Sequence, residues 1–314
     1  MKTTAARLVA HGQPLAVAEV KVPAPGPGEV LVEMLYGGIN PVDRYRAAGT
    51  VDGGSRLPRI LGAEGTGTAD GQVVAVFGHG VGTARDGIWA GQAVVPRSAL
   101  VELPDGTDPR QAAVMGVAGV TAWRTVTELA GVTAADRVLV LGAGGGVGSV
   151  IVSLAHRIGA TVWAQASAPR DAEWLSGLGA DRVVGGTPGD LAAQAAGLSP
   201  TVVFDPLGGG FTGAAIASLA PRGRLVIFGT SAGPAGTVPL QDLYRSGLTI
   251  LGYGGLRDSD EVLGAALAQA LQALVSGKLA VVIGQTLPLA RVNEALGLLA
   301  AQQVSGKLVL DLRA

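Results

Sequence analysis

Short runs of alternating apolar and polar residues open the chain. Residues 15–22 make one candidate strand. Residues 29–35 alternate with a period of two, placing Val30, Val32 and Met34 on one face and Leu31, Glu33 and Leu35 on the other. Between them, Pro23 to Gly28 combines prolines, which lack an N–H, with turn-forming glycines, so no regular element is expected there. Residues 73–77 and 93–96 read as further strands. The glycine-rich stretches 62–71 and 78–91 read as the loops that separate them. Together these predict a β-rich domain.

Near residue 108 the pattern changes. Residues 108–119 and 121–130 carry helical periodicity. Strand and helix then alternate: strands at 137–141, 161–165, 182–184, 201–204, 224–228 and 248–252, with helices at 147–158, 168–177, 191–196 and 212–219 between them. Such alternation predicts a parallel sheet with helices on both faces. A long helix (259–276), a strand (284–287), a helix (290–302) and a strand (307–311) follow. The expected fold class is α/β, a doubly wound Rossmann sheet plus a β-rich domain to which both chain ends contribute. The expected divisions are residues 1–115, 116–255 and 256–314.

Composition narrows the function classes. A chain of 314 residues suggests two domains. With 48% hydrophobic and 15% charged residues, disorder is excluded. A net charge of −1 without a basic block removes the footprint of a nucleic-acid binder. The mean hydropathy of +0.41 comes from short runs, none long enough to cross a membrane. No apolar run follows Met1 and Lys2, so no signal peptide is read and a cytoplasmic location is expected. The absence of cysteine excludes disulfides, thiolate metal sites and thiol nucleophiles.

The strongest chemical signal is Val138-Leu-Val-Leu-Gly-Ala-Gly-Gly-Gly-Val-Gly148, a buried strand entering glycines and then an apolar helix. A pyrophosphate needs a sharp turn, a close backbone and a helix N-terminus aimed at it. Gly145, Gly146, Val147 and Gly148 are the candidate contacts, with Ala143 standing where the first glycine of the fingerprint usually is. An acidic residue after the second strand would accept from the ribose of NAD. This chain has Ser167 there, and Arg170 three residues on, a hydroxyl and a guanidinium that suit the extra phosphate of NADPH. Capping by Ser167 and solvation of Arg170 are the plainer alternatives.

Seven segments, in order, resemble the quinone oxidoreductases of the medium-chain dehydrogenase/reductase superfamily. They are Gly38-Ile-Asn-Pro-Val-Asp43, Leu61-Gly-Ala-Glu-Gly65, Gly116-Val-Ala-Gly-Val-Thr-Ala-Trp123, the glycine turn, Asp205-Pro-Leu-Gly-Gly209, Gly223-Arg-Leu-Val-Ile-Phe-Gly229 and Ser305-Gly-Lys-Leu-Val-Leu310. The resemblance implies a GroES-like catalytic domain around the Rossmann domain, and a homodimer. In the zinc-dependent relatives a Cys and a His hold the catalytic metal, and those positions are Asn40 and Ala63 here. The resemblance therefore implies a zinc-free enzyme, Glu64 alone being no zinc site. It also places Asn40 and Tyr45 in the active-site cleft, Thr121 beside the cofactor, and Phe228, Gly229, Thr230 and Tyr253 near the nicotinamide. A turn for Asn40 before Pro41, and core packing for Tyr45, are the plainer alternatives, and Asp43 is expected to bond the backbone. Val51 stands where many quinone and enoyl-thioester reductases carry a tyrosine, which counts against an acyl-thioester substrate. The glycine-rich segment 52–58 is expected to shape or cover the pocket. The expected activity is NADPH-dependent hydride transfer to a small-molecule quinone. Reduction of the C=C bond of an enone, and cofactor binding without catalysis, are the alternatives. No nucleic-acid or membrane partner is expected.

Overall fold

The computed structural model describes residues 1–51, 56–168, 170–195 and 197–313. Residues 52–55, part of the segment expected to shape the pocket, lie outside the described residues. The chain divides into two compact units, one of residues 1–120, 259–275 and 282–314, the other of residues 121–258 and 276–281.

The first unit is β-rich. Its strands in chain order are β1 (Lys2–Leu8), β2 (Ala16–Lys21), β3 (Glu29–Ile39), β4 (Arg59–Ile60), β5 (Glu64–Ala69), β6 (Gln72–Phe77), β7 (Gln92–Pro96) and β8 (Leu100–Glu102). The second unit supplies β9 (Arg137–Val140), β10 (Thr161–Gln165), β11 (Arg182–Val184), β12 (Val202–Asp205), β13 (Arg224–Ile227) and β14 (Thr249–Gly252). The chain then returns to the first unit for β15 (Ile283–Pro288) and β16 (Lys307–Asp311).

In β3, Val30, Val32 and Met34 are buried and Glu33 is exposed, as the alternation predicts. The strand continues through Gly37 and Gly38 to Ile39 and anchors a seven-stranded sheet of order β15-β16-β3-β5-β6-β8, with β7 paired to its first half, Glu29–Glu33. A separate sheet, β2-β1-β4, completes the unit. Leu8, Ile39, Leu61, Ile88, Trp89 and Leu310 fill the core between these layers.

One expected loop is a strand. The glycines of the stretch 62–71 suggest a connection, yet Glu64–Ala69 is β5, paired antiparallel with both β3 and β6. Its glycines serve close approach rather than turning: a Cβ on Gly67 would stand 2.6 Å from the Glu33 carbonyl oxygen. The sequence reading also misses the helices Pro41–Ala48 and Leu240–Arg245, although Asn40, Pro41 and Asp43 make a visible start signal for the first. The expected helices at 108–119 and 121–130 are broken pieces: Pro109–Ala112, a wide turn at Met115–Gly119, Val120–Trp123 and a second wide turn at Arg124–Leu129.

The second unit holds the parallel sheet. Its order is β11-β10-β9-β12-β13-β14 with every pairing parallel. Counting β9 as the first strand, this is the 3-2-1-4-5-6 order of a Rossmann fold, which reverses between β9 and β12.

Candidate functional site

The turn after β9 is built for close approach. Gly145 caps the helix Gly146–Ile158 in an extended conformation. A Cβ on Gly148 would lie 2.6 Å from the Gly142 carbonyl oxygen and 2.8 Å from the Ala143 Cα, both backbone atoms that cannot swing aside. Any side chain there would push the helix away from the turn. The N–H groups of Gly146, Val147 and Gly148 open the helix, where no helical acceptor exists for them. The end of β10 is stitched to the same turn. Gln165 accepts the Gly142 N–H on Oε1 at 3.0 Å, and its carbonyl accepts the Ala143 N–H at 2.8 Å. The sequence reading misses Gln165, although a polar residue closing an apolar strand is a visible signal.

Of the remaining residues assigned to the cofactor, all but Thr121 follow the carboxyl ends of strands of this sheet. Ser167, after β10, is exposed, as is Arg170, which opens the helix Asp171–Gly177. Ser167 does not cap that helix. Phe228 donates its N–H to the Asp205 carbonyl (3.1 Å), and Gly229 and the exposed Thr230 follow it. Tyr253, half-buried after β14, donates its N–H to the Ile227 carbonyl at 2.9 Å. Burial pushes its phenol up to about 12, with Asp258 adding to the rise and Arg124 opposing it. Thr121 lies one helical turn before Thr125, whose hydroxyl donates to its carbonyl at 2.7 Å. Asp205, fully buried, shapes the loop at the point where the sheet reverses. Its Oδ1 accepts the N–H groups of Leu207 (2.8 Å) and Gly208 (2.9 Å), and its Oδ2 accepts the Thr212 hydroxyl (2.8 Å).

A second polar centre lies in the first unit. Glu64, 1% exposed, sits in a slot between two glycines: a Cβ on Gly38 would stand 2.8 Å from its Cγ, and one on Gly116 3.0 Å from its Cβ. Its Oε2 accepts the Val117 N–H at 2.6 Å, a donor at the start of a helical turn that needs an outside acceptor. Its Oε1 accepts the Asn40 Nδ2–H at 2.6 Å and faces the Lys307 ammonium at 3.1 Å. Lys307 also donates to Asn40 Oδ1 at 2.5 Å and to the Ile39 carbonyl at 3.2 Å. Four of the resembling segments therefore converge on one buried network, and Asn40 is held on both faces of its amide. The sequence reading gives Lys307 no role, although a lysine opening an otherwise apolar strand is the available signal. Tyr45, in contrast, is 39% exposed on the helix Pro41–Ala48. The structure thus brings Asn40 into this network and leaves Tyr45 outside it.

The cluster around His79 does not form a relay. Ser98 and Asp260 both meet the same nitrogen of His79, Nδ1, at 3.1 and 3.4 Å. A Ser-His-Asp triad needs them on opposite ring nitrogens. Among the described residues no group of three or more His, Cys, Asp or Glu side chains is placed to hold a metal.

A family model described as zinc-binding dehydrogenase matches residues 178–310. Bovine prostaglandin reductase-3 is 30% identical over 72% of this chain, and the match spans 64% of that protein, just under two thirds of its length. Quinone oxidoreductase of Pseudomonas aeruginosa is 29% identical over 97% of this chain and 98% of its own. Among solved structures, the quinone oxidoreductase of Thermus thermophilus, described also in complex with NADPH, superposes with a TM-score of 0.84 at 28% identity, covering 98% of this chain and 99% of that one. With this fold, this glycine turn and these likenesses, the chain belongs to the quinone oxidoreductase-like family of medium-chain dehydrogenase/reductase oxidoreductases.

Proposed function

We propose that this chain is an NADPH-dependent, zinc-independent reductase that delivers hydride to a quinone-type conjugated carbonyl, working as a homodimer. The observation that carries the reading is the contact at Gly148, which only a glycine fits, at the start of a long helix on the carboxyl edge of a doubly wound sheet. Gly145, Gly146, Val147 and Gly148 would hold the pyrophosphate. Ser167 and Arg170 would meet the 2′-phosphate, and Thr121, Phe228, Gly229, Thr230 and Tyr253 the nicotinamide end. Once bound, the cofactor supplies the hydride. The exposed Tyr45 hydroxyl would give a hydrogen bond or a proton to the acceptor oxygen. Asn40 has donated one Nδ2 hydrogen to Glu64 and keeps a second for that oxygen. The likeness to a quinone oxidoreductase that binds NADPH supports the choice of acceptor and cofactor.

Zinc independence is supported by the occupancy of Glu64. Both of its oxygens have partners, and an ammonium already neutralises it. A metal ion would have to displace Lys307 and would find neither Cys nor His at positions 40 and 63. The likeness to bovine prostaglandin reductase-3 favours a second reading, reduction of an enone C=C bond with the same hydride geometry.

The test follows NADPH oxidation with naphthoquinone, phenanthrenequinone and a simple enone, with and without EDTA, and repeats it with NADH. Quinone turnover that ignores EDTA and disappears in Gly148→Asp is the expected outcome. Faster enone turnover would select the second reading. Inhibition by EDTA would overturn zinc independence. Cofactor binding without turnover of any acceptor would sink the catalytic reading.

A further inference from the structure

We propose that Asp171 is a cofactor-selectivity residue, whose carboxylate favours the ribose hydroxyls of NADH and opposes the 2′-phosphate of NADPH. This rests on reading the Gly142–Gly148 turn as the cofactor site. Asp171 is 6% exposed and its Oδ1 accepts the Trp174 indole N–H at 3.1 Å, so the side chain is held in place. Its other edge faces the glycine turn: a Cβ on Gly144 would stand 2.9 Å from the Asp171 Cγ. A side chain at Gly144 would have to displace this carboxylate.

The location gives the carboxylate its meaning. A dinucleotide whose pyrophosphate lies on Gly145–Gly148 brings its adenosine ribose to the end of the second strand, which is β10. Gln165 stitches that end to the turn, and Ala166, whose N–H reaches the Val184 carbonyl, follows it. An acidic side chain here accepts from both ribose hydroxyls and repels a phosphate esterified to one of them. The sequence offers Ser167 immediately after the strand and no acid there, which favours NADPH. The fold returns an acid to the region one turn later, from the start of the next helix.

Asp171 also weakens the opposing signal. Arg170, the cation available to a 2′-phosphate, has its Nε 4.0 Å from Asp171 Oδ1. Its charge is shared with a neighbouring carboxylate before any ligand arrives. The two influences compete, so the preference for NADPH is narrowed rather than absolute.

Isothermal titration of NADH and NADPH into the whole protein, without acceptor, tests this independently of turnover. In the native chain NADPH should bind more tightly than NADH, by no more than about tenfold. Asp171→Asn keeps an acceptor for the Trp174 indole and should shift the ratio towards NADPH by about tenfold. Arg170→Ala should shift it towards NADH. Circular dichroism and melting confirm that both variants fold. An unchanged ratio in Asp171→Asn, equal weakening of both ligands, or a native preference for NADPH far beyond tenfold would each overturn the assignment while leaving the cofactor site intact. If the folded native chain takes up neither cofactor, the site reading itself fails and the assignment with it.

Discussion

Asp43 shows how much one buried carboxylate can do without touching substrate. Its Oδ2 accepts the Asn40 N–H at 2.8 Å, as expected of a residue that bonds the backbone, while Oδ1 has no hydrogen-bond partner. Burial raises its carboxyl from 3.8 to about 6, against the pull of the Arg46 guanidinium. A raised folded-state value means that the folded chain binds this proton more tightly than the unfolded one. The stabilisation is complete below the unfolded value of 3.8 and is lost as pH rises through about 6. Urea denaturation across that window should show the native chain losing about 3 kcal/mol relative to Asp43→Asn, which carries no titrating group there. Parallel curves for the two proteins would remove Asp43 from the account. At this scale the sequence reveals identity and not environment. The side-chain bond from Asp43 to the backbone three residues earlier is foreseeable, whereas its neighbours Glu64 and Lys307 are distant in sequence.

Elements meet at Glu64. This residue joins β5 to the helical turn at Val117, to Asn40 after β3, and to Lys307 at the start of β16. Removing one partner of such a pair strands a charge in the core. Lys307→Met should cost about 3–5 kcal/mol in urea denaturation, and the double variant Glu64→Gln with Lys307→Met should recover part of that loss. Full additivity of the two changes would mean that the pair does not act as a unit. The strands of the parallel sheet are readable because each is a short apolar run with a helix after it. Strand β5 is not, since Gly65 and Gly67 look like turn residues until β3 lies against them. The helical stretch after residue 108 is readable in kind. Its wide turns are not, because the acceptor that fills the first of them belongs to Glu64.

At the scale of the molecule, β14 is an outer strand of the parallel sheet, and the helix before it, Leu240–Arg245, buries none of its residues. Leu240 is 70% exposed and Tyr244 67% exposed. An open strand edge beside exposed apolar side chains invites pairing with a second copy. Light scattering coupled to gel filtration should give twice the chain mass of 31.2 kDa, and Leu240→Asp with Tyr244→Asp should shift it towards one chain. A single-chain mass for the unmodified protein would rule out the homodimer. No described helix is long and apolar enough to cross a membrane.

The sequence by itself determined the βαβ alternation, the glycine turn and the helix it opens, because hydrophobic period and the absence of a Cβ are local properties read within a dozen residues. Only the tertiary structure decided that Glu64, Asn40 and Lys307 form one buried network and that Asp171 lies on Gly144. Glu64 and Lys307 are 243 positions apart. Charge, slot and partner come together there only when the two ends of the chain fold into one sheet, and nothing local records that meeting.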